Sequence, residues 1–149
     1  MEKITLKVRE IQVKYKHGKT TDVDVADSPE RMAKLFSKIL PNNSQEHFLA
    51  LYFDSDLKPI AYAHIATGYD TGCSFKLKDV FCRACQLNAS GIVIAHNHPS
   101  GSLVASKEDH ATTEGFKDAC KLLGFRGIDH LIIVDGQARS IETGMVVNF

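Results

Sequence analysis

The sequence has no excess of either charge, because 18 lysine and arginine residues are balanced by 18 aspartate and glutamate residues. This balance gives no electrostatic reason to expect a nucleic-acid or acidic-membrane partner. No apolar run approaches the roughly 20 residues that span a bilayer, and the first residues, MEKITLKVRE, lack the apolar block of a signal peptide. We therefore expect a cytoplasmic protein with no membrane segment.

The chain of 149 residues contains four cysteines, an unremarkable number for a protein of a reducing compartment. Cys82 and Cys85 have the spacing of a zinc knuckle, but no second CxxC pair and no paired histidines complete such a site. Their i, i+3 spacing on a predicted helix favours packing in the core. We therefore predict that neither cysteine binds a metal.

The pattern of apolar residues predicts a single α/β domain, a mixed β-sheet flanked by helices. Alternation over 4–15 predicts a strand, with 20–27 as its hairpin partner. The other predicted elements are helices over 28–41, 76–89 and about 106–124, and strands over 46–54, 59–68, 91–96, 128–136 and within 138–149. The buried helix faces are predicted to include Cys85 and Leu123. We divide the domain, 1–149, into an N-terminal hairpin and helix, 1–43, and a core unit, 44–149.

Two histidines stand at the end of a predicted buried strand, in the stretch GIVIAHNHPSG. Alternate residues of a strand point to the same face, so His96 and His98 are predicted to share a side while Asn97 points away. Asp109 lies at the head of the apolar stripe of the next predicted helix, so its carboxylate is expected to point inward. Two histidines and a carboxylate, with a fourth position left for water, form a ligand set of catalytic zinc sites. Zinc lowers the pKa of such a water from ~15.7 toward ~7.

The same residues have structural alternatives. A histidine at a strand end is often a hydrogen-bonded core or surface group. Asp109 is also placed to complete a capping box with Ser106 at the start of the helix, although aspartate is shorter than the usual glutamate or glutamine and is expected to reach less well. His130 alternates with Ile132 and Val134 on one strand face, which favours a hydrogen-bonded core histidine, with a role beside the metal ligands as the alternative.

The spacing His96-x-His98, seven residues, Ser106-x-x-Asp109 resembles the metalloprotease motif of the JAB/MPN (JAMM) domains. The stretch HNHPSG and the later pair Asp129-His130 are similar to the RadC branch of that family, and the resemblance covers about 44–134. It implies a JAB/MPN-like, cytidine-deaminase-like α/β fold. It also implies that His96, His98 and Asp109 bind zinc.

The resemblance further implies two catalytic residues. Ser106 would help to hold the oxyanion while water attacks an amide carbonyl, and an acidic general base is expected on an earlier strand. Glu46 is the best match in position for that base, and its alternative is a solvated carboxylate at a strand end. Glu10 and Glu2, on the first predicted strand, are next in line.

We therefore predict a zinc-dependent metallopeptidase or isopeptidase, a hydrolase that cleaves an amide bond of a peptide or protein substrate with zinc-bound water. The alternative is a DNA-repair-associated RadC-like accessory domain whose metal site is structural or unused. The resemblance implies that longer RadC members carry a helix-hairpin-helix region associated with DNA contacts. Nothing comparable precedes residue 44 in this sequence, so we do not predict binding to nucleic acid.

Overall fold

A six-stranded mixed sheet forms the centre of the protein. The computed structural model describes residues 1–16, 27–41, 44–68 and 73–149. Its strands are β1 (His47–Phe53), β2 (Pro59–Thr67), β3 (Gly91–Asn97), β4 (Arg126–Val134), β5 (Gln137–Ser140) and β6 (Val146–Asn148), and its helices are α1 (Pro29–Ile39), α2 (Cys73–Leu87) and α3 (Lys107–Leu123). The strand order is β2-β1-β3-β4-β5-β6. Only β3 and β4 pair in parallel, and the other neighbours are antiparallel.

Both faces of the sheet are covered, which explains why β1 and β3 are almost continuously apolar. Helix α1 packs on one face, against a buried cluster that includes Leu49, Val93 and Leu131. Helices α2 and α3 pack on the other face, where Ile92 and Ile94 of β3 are buried. Because side chains alternate along a strand, His96 lies on the same face as Ile92 and Ile94, toward α3.

The ends of the helices follow from local chemistry. Ser28 is the N-cap of α1, where its Oγ accepts a hydrogen bond from the Arg31 N–H at 3.3 Å, and Pro29 occupies the first helical turn. Helix α3 ends at Gly124, whose φ of 80° lies in the left-handed region that glycine adopts without steric cost. These caps match the helix boundaries that the sequence predicts.

The predicted fold class is confirmed, but the predicted strand over 4–15 is wrong. Residues 1–16 form no strand, and their large apolar side chains are exposed. Alternation shows which face a strand would bury, but it does not supply a strand to pair with. The predicted partner, 20–27, lies outside the described residues except for Asp27. The division into 1–43 and 44–149 stays a prediction.

Two residues expected on buried helix faces are exposed instead, namely Cys85 and Leu123. The inward stripe of α2 consists of Leu77, Val80, Phe81, Ala84 and Leu87. This stripe has i, i+3, i+4 spacing and leaves Cys85 one position further round the helix. Leu123 is the last residue of α3, where the helix ends. Across the described part of the chain, no helix is long and apolar enough to cross a membrane, and a cytoplasmic location stays a prediction.

Candidate metal centre

Four side chains converge at the end of β3 that faces α3. The potential ligand atoms of Glu46, His96, His98 and Asp109 all lie within 4.8 Å of one another. The Nε2 atoms of His96 and His98 are 3.0 Å apart. The Asp109 carboxylate lies 3.2 Å from His96 Nε2 and 3.4 Å from His98 Nε2. Within the described ranges, this is the one group of such side chains close enough to hold a metal ion.

The sheet register brings these residues together. Phe48 of β1 pairs with His96, and His96 pairs with Ile132 of β4, so His96 lies at the end of a central strand. The chain then turns at Gly101, whose N–H donates to the His98 carbonyl at 3.0 Å and whose φ is 80°. Helix α3 begins soon after this turn and places Asp109 over the end of β3.

Asp109 forms the capping box that the sequence offers as one alternative, and its carboxylate also faces both site histidines. Its N–H donates to Ser106 Oγ at 3.0 Å, and its Oδ2 accepts from the Ser106 N–H at 2.9 Å, which completes a capping box. The expectation that aspartate reaches less well is therefore wrong. The same carboxylate faces both histidines, so the cap fixes the orientation of the predicted metal ligand.

The far nitrogen of each site histidine is also held. His98 Nδ1 donates to the Ser102 carbonyl at 2.7 Å. His96 Nδ1 lies 2.9 Å from His130 Nε2, and His130 Nδ1 lies 2.7 Å from Thr113 Oγ1. His130 is therefore both a hydrogen-bonded core residue, only 1% exposed, and a neighbour of a predicted metal ligand. Complete burial lowers the pKa of His130 well below its ordinary value, so the ring is neutral near neutral pH.

The electrostatics of the site favour a cation. Burial by itself raises the pKa of the Asp109 carboxyl, but hydrogen bonds with His96 and His98 outweigh it and hold the pKa far below its ordinary range. The hydrogen bond with Asp109 in turn raises the pKa of His98, against the effect of burial. The carboxylate thus draws positive charge to the site, and a metal ion would compete with protons for it.

The donor set fits zinc. Imidazole nitrogen and carboxylate oxygen are zinc ligands, and bonds of about 2.0–2.2 Å at tetrahedral angles place ligand atoms roughly 3.3–3.6 Å apart. The three separations of 3.0, 3.2 and 3.4 Å among His96, His98 and Asp109 are close to that range. Glu46, the residue before β1, completes the surroundings of the site.

Glu46 precedes β1, and its backbone is held on several sides. The Gly68 N–H donates to the Glu46 carbonyl at 2.8 Å. Asn97 brackets Glu46, because its Oδ1 accepts from the His47 N–H at 2.6 Å and its Nδ2 donates to the Gln45 carbonyl at 2.9 Å. Sequence reasoning placed Asn97 only on the opposite side from the histidines and missed this contact. No local signal in the sequence indicates it, because it depends on the pairing of β1 with β3.

The site opens onto a cleft of about 430 Å³. Glu46, His98 and Ser106 line it, together with Pro99, Ser100, Ser102, Val104 and Ala105. Glu2 and Glu10, the reserve candidates for the base, lie in the exposed stretch 1–16 that forms no strand. Their ranking therefore loses its basis, and Glu46 is the acidic residue that the structure brings to the two histidines and Asp109.

We predict that Cys82 and Cys85 can both be changed to alanine without loss of metal. Both are free and exposed on α2, so the expectation that they pack in the core is wrong. Exposed positions usually tolerate substitution within about 0.5 kcal/mol. Elemental analysis of the folded Cys82→Ala/Cys85→Ala protein should give the wild-type metal content, and a loss of metal would show that these thiols are ligands.

Comparisons with known proteins give one family match and a set of relatives. A protein-family model described as "RadC-like JAB domain" matches residues 26–145. A UPF0758 protein of Aquifex aeolicus (strain VF5) is 36% identical over 128 residues, which cover 86% of this chain and 54% of the relative. A UPF0758 protein of Coprothermobacter proteolyticus is 34% identical over 77% of this chain and 49% of its own length. One of Legionella pneumophila (strain Corby) is 35% identical over 80% of this chain and 52% of its own. The chain thus spans about half the length of the curated relatives it matches.

Proposed function

This chain belongs to the RadC-like JAB domain family, and from that membership and the geometry of the site we propose that it is a zinc-dependent metallopeptidase or isopeptidase. The observation that carries the proposal is the convergence of Glu46, His96, His98 and Asp109 beside an open cleft. Two imidazoles, one carboxylate and a nearby second carboxylate are the groups that metal-assisted hydrolysis of an amide requires.

In this proposal His96 and His98 would hold zinc through Nε2, and Asp109 through its carboxylate. When bound, zinc supplies Lewis acidity that lowers the pKa of a coordinated water toward about 7. The protein fixes its own ligands in advance, because Ser102 orients His98 and the capping box orients Asp109. Ligands held in this way do not have to be ordered when the metal binds.

Glu46 acts as the general base in this scheme. Its carboxylate accepts a proton from the attacking water and delivers that proton to the nitrogen of the departing amine. The bracket formed by Asn97 holds the backbone on both sides of Glu46 and so limits where the carboxylate can move. A base must reach within hydrogen-bond distance of the proton that it takes, so this restraint serves the proposed reaction.

Ser106 supplies a hydrogen-bond donor to the oxyanion. Its Oγ accepts from the Asp109 N–H, which uses a lone pair and leaves the hydroxyl proton available for donation. Ser106 also lines the cleft with Glu46 and His98, so a carbonyl bound there would lie between the donor and the base. The cap and the donor are compatible roles for one hydroxyl group.

A peptide or protein substrate is proposed for the cleft. Its volume of about 430 Å³ falls within the roughly 300–1,000 Å³ of ligand clefts. Equal numbers of acidic and basic residues give no electrostatic reason to propose DNA instead.

A peptide-library cleavage assay tests the function. Zinc-loaded protein is incubated with peptides of mixed sequence and with an isopeptide-linked substrate, and mass spectrometry identifies new termini. We expect cleavage that a chelator abolishes and added zinc restores. Absence of cleavage by fully zinc-loaded protein, combined with DNA binding that weakens with salt, would favour the accessory-domain alternative.

We predict that Ser106→Ala impairs turnover more than it impairs stability. Loss of an N-cap costs about 0.5–2 kcal/mol, whereas loss of an oxyanion donor lowers turnover about 10²–10³-fold. Thermal unfolding and the rate on a cleaved peptide would be measured on the same preparation.

Ser28→Ala is the matched control for this prediction, because the Ser28 side chain accepts from the third helical N–H of α1 as the Ser106 side chain does in α3. It should lose comparable stability and keep the wild-type rate. If Ser106→Ala also keeps the wild-type rate, Ser106 is only a cap.

A further inference from the structure

We propose that Thr113 and His130 are positioning residues that fix the tautomer of His96, so that its Nε2 carries a lone pair toward the metal site. The inference rests on the proposed metal site, which it deepens. It concerns two side chains from different elements, since Thr113 lies in α3 and His130 in β4. Their contacts with His96 form one continuous chain of hydrogen bonds.

The direction of the chain is set at Thr113. Its hydroxyl donates to the Asp109 carbonyl at 2.8 Å, which uses its single proton. The hydroxyl oxygen can then only accept from His130 Nδ1, 2.7 Å away. His130 is therefore protonated on Nδ1.

The same reasoning continues to His96. A neutral imidazole has one protonated nitrogen and one acceptor nitrogen. With its proton on Nδ1, His130 has an acceptor at Nε2, and His96 Nδ1 lies 2.9 Å from it. His96 therefore donates from Nδ1, so in the neutral ring the lone pair is on Nε2, the atom 3.2 Å from Asp109, and only the protonated ring donates from Nε2 to that carboxylate. The hydrogen bond at one ring nitrogen thus decides what the other can bind.

The His130 ring is held firmly, so the tautomer set by Thr113 at His130 also determines the tautomer of His96. It is fully buried, and its ring lies against the Phe48 ring with centroids 5.7 Å apart. Its backbone N–H donates to Asp129 Oδ1 at 2.7 Å, and the same oxygen accepts from Ser140 Oγ at 2.8 Å. A ring with these neighbours has little freedom to turn away from His96.

Removal of the Thr113 hydroxyl should reverse the direction of the hydrogen bonds between His130 and His96. Without an acceptor at Nδ1, a buried His130 would place its proton on Nε2 and donate it to His96 Nδ1. His96 would then be protonated on Nε2, facing the Asp109 carboxylate, and a metal ion would have to displace that proton. Changes in such outer partners typically lower metal affinity about 10–100-fold.

Long-range ¹H–¹⁵N NMR of the metal-free protein tests the tautomers directly, because these spectra distinguish protonated from bare ring nitrogens. At a pH at which both rings are neutral, we expect His96 and His130 to be protonated on Nδ1 and bare on Nε2 in the wild type. A proton on Nε2 of neutral His96 would overturn the proposal. This measurement needs no variant and no activity.

Zinc affinity, measured by competition with a chromogenic chelator, tests the consequence. Thr113→Val should bind zinc about 10–100-fold more weakly and show the reversed tautomers. Thr113→Ser keeps the hydroxyl and should stay near the wild type. Thr112→Val, at the buried neighbouring position on α3, is the control and should leave both readouts unchanged.

The outcomes separate the inference from the proposed function. If Thr113→Val keeps the wild-type tautomers or the wild-type zinc affinity, the positioning role is wrong even if the protein is a peptidase. If the wild type has the expected tautomers but binds no zinc, the metal role is wrong and the proposed function fails with it. If zinc binds as expected but no peptide is cleaved, the inference stands and only the hydrolase proposal fails.

Discussion

His96→Ala/His98→Ala should abolish zinc binding in a protein that still folds. Wild-type protein purified without added metal is expected to hold one zinc per molecule, since it offers two imidazoles and a carboxylate at suitable separations. Free zinc at 100 times its dissociation constant should raise the free energy of unfolding by about 2.7 kcal/mol. The double variant should lose both the bound zinc and this stabilisation.

His64→Ala/His110→Ala is the matched control, because it also removes two histidines, both exposed and outside the group at the candidate site. It should keep the wild-type zinc content. Elemental analysis and thermal unfolding with and without zinc give the two readouts. Zinc absent from the wild type, or undiminished in the His96→Ala/His98→Ala protein, would contradict the assignment of these ligands.

Glu46→Gln should lower the cleavage rate by about 10²–10⁴-fold, the usual contribution of a general acid-base group. The amide has nearly the same shape as the carboxylate, so the fold and the zinc content should be unchanged. What is lost is the proton acceptor. The rate is measured on a peptide that the wild type cleaves, with the zinc content of each preparation determined in parallel.

The alternatives for Glu46 predict different results. If Glu46 binds the metal, Glu46→Gln should lose zinc together with activity. If Glu46 is only a solvated carboxylate, neither quantity should change, as we expect for the control Glu30→Gln on the exposed side of α1. A wild-type rate in fully loaded Glu46→Gln would remove Glu46 from the mechanism.

The spacing of residues close in sequence was enough to predict which side chains meet at the site. The period of a strand predicts that His96 and His98 share a face, and the helix that follows has Asp109 on its inward side. Both depend on residues close in sequence, and both agree with the contacts of 3.0 to 3.4 Å in the structure. The family motif added Ser106 and Glu46, whose catalytic roles stay predictions.

Contacts between distant elements could not be predicted in the same way. Thr113 and His130 meet because α3 packs on β4, and their hydrogen bond depends on the register and helix position together. Asn97 brackets Glu46 across fifty residues or more of sequence for the same reason. The prediction of a strand over 4–15 was wrong because a local pattern carries no information about a pairing partner.

The pairing of β3 with both of its neighbours has a consequence for refolding. His96 is opposite Phe48 on one side and Ile132 on the other, and a shift of one residue in strand pairing turns every side chain to the opposite face. A misaligned β3 would therefore direct His96 toward α1, away from Asp109, while the overall content of helix and strand changed little. Circular dichroism could not distinguish misaligned molecules from correctly aligned ones. If the site binds a metal as proposed, the fraction of refolded molecules that bind it would equal the fraction with correct strand alignment.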